Sequence, residues 1–461
     1  MLFADKLPAV DLCTRTWLSD MSELHQPTKL NRQGERHTSR RSWLKGCGAV
    51  AGLSTLTSRS PFLEFALPDM LKQAGDHPAE IKVQPKIHVC VIGAGAFGGW
   101  TALYLLRRGA RVTLLDAWGP GNSRASSGGE TRVIRGTYGS NQPYTKMVVR
   151  ALQLWTEHEK RWNRQLLHRI GVLWMAATGD DQYERGSLPL LREAGIPYEE
   201  LPSAELEKRW PQINLEGVRW GIYEPQSGFL TARIACQVVL EGFLAEGGEY
   251  RQAAVASRDL DVGKWHSLTL SDGSKLAADQ YVFACGPWLG KLFPATIGDR
   301  VRATKQDVFF FGVPAGDDRF CEKKLPVWAD HRDTFVYGIP GSDGRGFKVA
   351  DDTRGPEFDP TSGEREPSAD GLHAIREYLG FRFPALKNAP LLESRVCQYE
   401  NSPDNNFIID RHPNSERVWL VGGGSGHGFK HGPAVGEMVA ELVMEHKNAD
   451  PLFRLARFGK H

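Results

Sequence analysis

The stretch Ile87–Asp116, IHVCVIGAGAFGGWTALYLLRRGARVTLLD, constrains the fold more than any other part of the chain. It opens on a β-branched apolar run, the composition of a buried parallel strand. Gly93, Gly95 and Gly98 follow as G-x-G-x-x-G. A helix-like run from Trp100 to Arg108 comes next, then Gly109, then a second strand, Arg111–Leu115, that ends on Asp116. Each residue type answers a physical need. Gly93 permits a tight turn. Gly95 lets a pyrophosphate approach the backbone N–H groups at the positive end of a helix. Gly98 lets helix and strand pack closely, and Asp116 can accept hydrogen bonds from a ribose diol. A G-x-G-x-x-G alone is a weak signal, but here strand, helix and acid are all in place. The unit therefore reads as a dinucleotide-binding βαβ, although the motif does not by itself separate FAD from NAD.

The 461 residues provide for two or three domains' worth of core. A formal net charge of +2 makes no electrostatic case for nucleic acid as a partner. No apolar run is long enough to span a membrane, so no stable membrane insertion is expected. The seven cysteines form no metal-ligand pattern, and no metal site is expected. Cys90 and Cys285 fall within apolar strand-like runs, where a thiol packs as a small hydrophobe.

Residues 1–66 read as a leader. Ser39-Arg40-Arg41-Ser42-Trp43-Leu44-Lys45 resembles the twin-arginine export signal, with Trp in place of Phe, and a modestly apolar segment, Gly46–Leu56, follows it. A basic disordered arm is the alternative. Ala66 is a candidate cleavage position, although Glu64 is not the small residue expected there. The segment before Ser39 is long for a leader, which makes Met21 a candidate start. Residues 67–85 read as a polar tether. The signal predicts export through the twin-arginine machinery, in a bacterium to the periplasm.

Beyond Asp116, a Gly/Ser-rich loop from Gly119 to Glu130 leads into Thr131-Arg132-Val133-Ile134-Arg135. Residues 143–169 predict a helix carrying Trp155 and Trp162. Strands are predicted at Gly171–Ala176 and from Trp220 into a turn at Gly228, with a helix over 231–246. A strand over Gln280–Ala284 ends in the small-residue turn Cys285-Gly286-Pro287-Trp288. Phe309–Phe311 and Thr334–Ile339 read as strands of a second, antiparallel sheet. Val418–Val421 runs into the glycine-rich Gly422–Gly428, which feeds a helix over 434–446. That turn is a second anion-friendly helix start.

Four distant stretches share one character: G-A-G-A-F-G, T-R-V-I-R, S-R-V-C-Q-Y (394–399) with F-I-I-D-R-H-P (407–413), and G-S-G-H-G-F-K (424–430). Together they resemble the monomeric sarcosine oxidase and N-methyltryptophan oxidase family of flavoproteins, part of the wider group that includes D-amino-acid oxidase. The resemblance runs from about Ile87 to the C-terminal helix. It implies an α/β plus α+β architecture. A Rossmann-like, glutathione-reductase-type FAD domain would come from residues 86–172, 229–300 and 397–450. A substrate domain on an antiparallel sheet would come from 173–228 and 301–396.

Carried over residue by residue, the likeness assigns FAD contacts to Gly93, Gly95, Gly98, Asp116, Ser127, Thr131, Arg132, Gly426, His427, Gly428 and Lys430. Cys397 matches the cysteine that forms a thioether to the flavin. Arg132 would lie against the ring system as a fixed cation. Arg135 and Lys430 would clamp a substrate carboxylate, although Lys430 alone reads as a surface lysine. Tyr337 matches a tyrosine beside the substrate pocket. Lys348 matches the lysine that promotes reaction with oxygen, and Thr131 a threonine beside it. Two positions depart from the family. Ser127-Gly128 stands where a histidine pair is common, and Asp352 replaces a pocket histidine. An Asp352 facing the pocket would partly neutralise Lys348 or meet a cationic group on the substrate; one facing solvent would do neither.

The resemblance thus implies a monomeric, FAD-dependent oxidase of a secondary or primary amino acid amine. It would take a small-molecule substrate and O2, and release hydrogen peroxide. The alternatives are a flavin dehydrogenase passing electrons to a quinone or cytochrome, an NAD(P) dehydrogenase, and an exported flavin- or amino-acid-binding protein without turnover.

Overall fold

The βαβ unit forms as its pattern requires. In the computed structural model, which describes residues 86–256, 260, 266–332 and 334–459, strand β1 (His88–Ile92) leads into helix α1 (Ala96–Arg107) and strand β2 (Arg111–Asp116). The leader and tether, 1–85, lie outside the described residues. Alternation along β1 sends Val89 and Val91 into one hydrophobic core and Cys90 and Ile92 into another. Both faces of the sheet are therefore covered, which is why the strand is apolar throughout. Helix α1 starts at Ala96, earlier than its apolar run suggests, because the glycines are themselves helical.

This strand pair sits inside a six-stranded sheet. Its order is Ile408–His412, Ser415–Gly422, Gln280–Phe283, β1, β2, Glu249–Gln252. All neighbours run parallel except Ile408–His412, which pairs antiparallel with Ser415–Gly422. Helix Gly432–Met444 packs on α1, and glycine makes the approach possible. A Cβ at Gly436 would stand 2.6 Å from the backbone and side chain of Trp100. Overpacking of that kind costs about 1–3 kcal/mol.

The second large sheet has eight strands: Leu391–Asn401, Arg302–Phe311, Phe347–Asp351, Phe335–Ile339, Val327–His331, Val172–Ala177, Val218–Glu224 and Glu199–Pro202. It is antiparallel, as expected, except for one parallel pair, Val327–His331 with Val172–Ala177. That pair joins two segments far apart in the chain, where no hairpin turn dictates direction. A small antiparallel sheet sets strand β3 (Thr131–Ile134) against Gly228–Thr231, with Leu167–His168 on the far side.

One element ends earlier than its sequence pattern indicates. Helix α2 spans Gln142–Trp162, not 143–169. Asn163 takes the left-handed conformation, φ 50°, and caps the helix. This releases Leu167–His168 to pair as a strand. Trp155, fully buried on α2, donates from its indole nitrogen to the carbonyl of Lys430 at 2.9 Å. The helix thereby anchors a residue of the site. Among the described residues, no helix is long and apolar enough to cross a membrane.

Candidate active site

A long cleft opens at the C-terminal ends of β1 and β2, the usual ligand position in such sheets. Backbone shapes its inner end. Gly93 has φ +105°, and a Cβ there would meet the Ala284 carbonyl oxygen at 2.3 Å. A Cβ at Gly98 would meet the Gly93 carbonyl oxygen at 1.8 Å. Above Gly95 the space is open: among the described residues outside the local chain, a Cβ would come within 4 Å of Ser127 Oγ alone, at 3.3 Å. The N-cap of α1 is Gly95, which has no side chain to take the helix's leading N–H groups, and Gly95, Ala96 and Phe97 line the cleft. Ser127 Oγ accepts from the Ala96 N–H at 3.0 Å. Asp116 lines the cleft, and its carboxylate accepts from the N–H groups of Ala94, Trp118 and Gly119 at 2.8, 2.9 and 2.8 Å. Burial raises its pKa, and those three hydrogen bonds oppose the shift. The acid thus ties the glycine turn to the loop beyond β2 while its remaining lone pairs face the cleft.

Gly426 and Gly428, in the loop after Ser415–Gly422 two strands from β1, line the same cleft. Arg132 lines both the cleft and a smaller chamber next to it. That chamber gathers Arg135, Tyr337, Asp352, Cys397, Tyr399 and Lys430. Strand alternation explains part of the gathering. Lys348, Ala350 and Asp352 are spaced by two along one strand and its end, and so are Cys397 and Tyr399.

The cations are held by neutral acceptors. Arg132 donates to the carbonyls of Thr131 (2.7 Å) and Ser126 (2.6 Å) and contacts Cys397 Sγ at 3.1 Å. The Arg135 guanidinium lies between the rings of Tyr138 and Trp174, 4.3 and 4.6 Å from their centroids, and donates to the Thr137 carbonyl. The buried Glu224 carboxylate fixes the turn after Arg135, accepting from the N–H groups of Gly136 (2.7 Å) and Thr137 (2.9 Å). Lys430 is buried, not a surface lysine, and donates to Tyr138 Oη (3.1 Å) and the His427 carbonyl (2.9 Å). Burial, then Arg135, pulls its pKa well below the usual lysine range.

Lys348 stands apart from this group. It lines a third, smaller cavity that shares Arg132 and Cys397 with the chamber. Its Nζ donates to the Thr131 carbonyl at 3.1 Å and lies 3.5 Å from Thr131 Oγ1 and 5.6 Å from the centre of the Tyr337 ring. Burial, then the Arg132 charge, lowers its pKa to about 7. Asp352 faces the chamber and accepts from the Tyr399 hydroxyl. Burial pushes it up to about 6, against that hydrogen bond and the charges of Arg135 and Lys430.

Thr131, Lys430 and His427, all expected at the cofactor, do not line the cleft: Thr131 meets the Lys348 amine, and Lys430 and His427 line the chamber. The His427 ring lines the chamber, not the cleft, and lies 5.0 Å from the Phe407 ring in a stacked arrangement. Its Nε2 pairs with the Asn405 carbonyl at 3.0 Å. Glycines on both sides expose backbone to the cleft while the imidazole turns into an aromatic cluster. Burial, then Lys430, lowers its pKa to about 3, so the ring is neutral. Cys285 lies just past its strand and lines the cleft instead of packing within the sheet. Cys90 is buried as expected.

The family description "FAD dependent oxidoreductase" matches residues 88–442. The chain belongs to this family. It is 27% identical to a monomeric sarcosine oxidase of Arthrobacter sp. over 380 residues, 80% of this chain and 95% of the relative. It is 29% identical to an N-methyl-L-tryptophan oxidase of Salmonella arizonae over 394 residues, 81% and 100% of the two chains. The fold is shared with the crystal structure of an L-proline dehydrogenase from P. horikoshii, at TM-score 0.70 and 21% identity, covering 81% of this chain and 98% of that one.

The residues present fit the FAD of this family. The space over Gly95 at the start of α1 is a cradle that a side chain there would fill, and Gly426 and Gly428 line the same cleft. Several residues of the FAD-dependent site escaped the sequence reading. Tyr399 was within reach, since it shares a strand face with Cys397. Tyr138, Trp174 and Glu224 were not. Trp174 and Glu224 reach Arg135 and its turn from distant segments, and Tyr138, three residues past Arg135, meets it only through the fold of that turn; no local pattern announces either.

Proposed function

We propose that this FAD-dependent oxidoreductase oxidises the C–N bond of an amino acid carrying a secondary or primary amine. In the net reaction, amine, O2 and water give a carbonyl compound, a released amine and hydrogen peroxide. One observation carries the reading: Arg135, half-buried, and Lys430, buried, are both rigidly held and face a chamber that shares Arg132 and Cys397 with the cavity of Lys348. The sarcosine and N-methyl-L-tryptophan oxidases among its relatives support it.

Bound FAD, held by Gly93, Gly95, Gly98, Asp116, Ser127, Arg132, Gly426 and Gly428, would supply the two-electron acceptor. The chain's own residues do the rest. Arg135 offers a planar fork and Lys430 an amine whose proton an incoming carboxylate favours against burial and the Arg135 charge, and together they hold that carboxylate at a fixed place and orientation. Asp352 gives the same chamber an anionic side, so the lining suits a zwitterion. With its pKa near 6, its ionised form accepts a proton or a hydrogen bond from the substrate nitrogen and leaves the amine uncharged. Trp174, Phe335, Tyr337 and Phe429 exclude water around these charges. Lys348, in its own cavity, presents positive charge where negative charge develops on O2.

The reading extends to Cys397 as the point of thioether attachment to FAD. Its Sγ lies at the boundary of chamber and Lys348 cavity, in contact with the Arg132 guanidinium. It extends also to a monomeric state and to twin-arginine export to the periplasm. A route for folded proteins suits a chain that closes around its cofactor before translocation.

Anaerobic titration of the yellow protein with N-methyl, cyclic imino and glycated amino acids tests the reaction. Bleaching of the flavin, followed by recovery and stoichiometric peroxide on admitting O2, is expected. Bleaching by none of these classes would sink it, and recovery only with an artificial acceptor would make it a dehydrogenase. Acid denaturation followed by peptide mass measurement tests Cys397. Cell fractionation of Arg40→Lys/Arg41→Lys protein against the parent tests export.

A further inference from the structure

Glu400 lies on the strand Leu391–Asn401, three residues past Cys397. No motif singled it out. Alternation turns it to the face opposite Cys397 and Tyr399. There its side chain is buried, at 8% exposure, and lines the FAD cleft together with Gly286 and Gly424. Its Oε2 has no hydrogen-bond partner among the described residues.

The surroundings leave room for the carboxyl and little else. A Cβ at Gly422 would stand 3.2 Å from Oε2, and one at Gly424 would stand 3.1 Å from Oε1. At Gly286 it would be 3.9 Å from Oε2. Gly422 and Gly424 close one strand and its loop, and Gly286 follows the neighbouring strand of the same sheet. The elements packed against Glu400 bring almost no charge. The turn after Gln280–Phe283 contributes the Cys285 thiol. The loop after Ser415–Gly422 contributes the backbone N–H groups of Gly424 and Gly423, which favour the ionised form but are outweighed by burial. The neighbouring strand places Ala303 opposite. Among the described residues no cation faces Glu400. Burial raises its pKa to about 7. A buried carboxyl with an unmet oxygen is costly unless a ligand completes it. An ionised one would also repel the pyrophosphate that the glycine motif is built to receive.

We propose that Glu400 is a cofactor-binding residue, whose carboxyl carries its proton and donates from Oε2 to an acceptor oxygen of the ribityl-pyrophosphate part of FAD. The inference rests on FAD binding alone and stands whether or not the substrate is an amine.

The test uses the full chain in a Cys397→Ser background, where any covalently held flavin becomes exchangeable. FAD dissociation constants are read by flavin fluorescence from pH 6 to 8.5, with Glu400 and with Glu400→Gln. If the bound state requires the proton, affinity falls as pH rises through the carboxyl's range, by about thirtyfold over that interval. Glutamine keeps a donor and cannot ionise. It is expected to bind FAD within about twofold of the parent at pH 6 and to remove the slope. A slope that survives Glu400→Gln, or parent affinity that rises with pH, would overturn the proposal. Infrared difference spectra of the parent holoprotein provide a check that does not depend on the variant's folding. A protonated-carboxyl band that persists above neutral pH with FAD bound supports the proposal. Its absence with FAD bound refutes it.

Discussion

The dinucleotide cleft and the chamber beside it are built from different materials. At its inner end the cleft is shaped by backbone: three glycines and the start of α1, tied by Asp116, within one run of thirty residues. The chamber is shaped by side chains from at least five separate segments, each held in place by others. A backbone site works through what is missing, since one added methyl group collides with main chain that cannot yield. A side-chain site works through what is present, and losing one member leaves the rest standing. The first should therefore fail as a whole and the second by degrees.

The sharpest way to break this contrast is Gly98→Val. A Cβ already meets the Gly93 carbonyl at 1.8 Å, so a loss of more than about 4 kcal/mol is expected, with no bound flavin. Thermal unfolding and flavin absorbance check it, and a stable yellow variant would refute the claim. Lys348→Met is next. Reoxidation by O2, followed by stopped flow, should slow by about 10²–10³-fold, the cost of removing one preorganised charge, while anaerobic bleaching changes far less. Equal slowing of both half-reactions would mean that Lys348 is not confined to its own cavity.

Arg135→Leu should raise the KM for the amino acid by about ten- to a hundredfold, equivalent to about 1.5–3 kcal/mol for charge-assisted hydrogen bonds, and leave FAD in place. The smallest effect is on pH. Protonated Lys348 is the effective form, so reoxidation should slow as pH rises through about 7. Asp352 supports that proton, as the last and weakest of the influences on Lys348. Asp352→Asn should therefore move the midpoint to lower pH. A midpoint that rises instead would mean that the carboxyl does not act on Lys348 through its charge.

The cleft was legible because its residues are local. Glycines at fixed spacing, a strand before and an acid after survive any rearrangement elsewhere. The cations Arg132, Arg135, Lys348 and Lys430 were legible only through resemblance, since an arginine or lysine in isolation reads as solvated surface. His427 misled for a local reason: its glycine neighbours face the cleft while its own side chain does not. The helix over 143–169 was overextended because Asn163 continues the polar face and gives no sign of its left-handed conformation.

The order of residues alone determined that this chain would hold a dinucleotide, because a pyrophosphate is recognised by main-chain groups that the motif itself exposes. Only the tertiary structure decided what lies beyond it. Lys430 is buried against Tyr138, Asp352 faces the chamber, Lys348 has a cavity of its own, and Glu400 holds an unpaired oxygen toward the cleft. Burial and the company of distant charges set the protonation of each of these groups, and neither is a property of any one stretch of sequence.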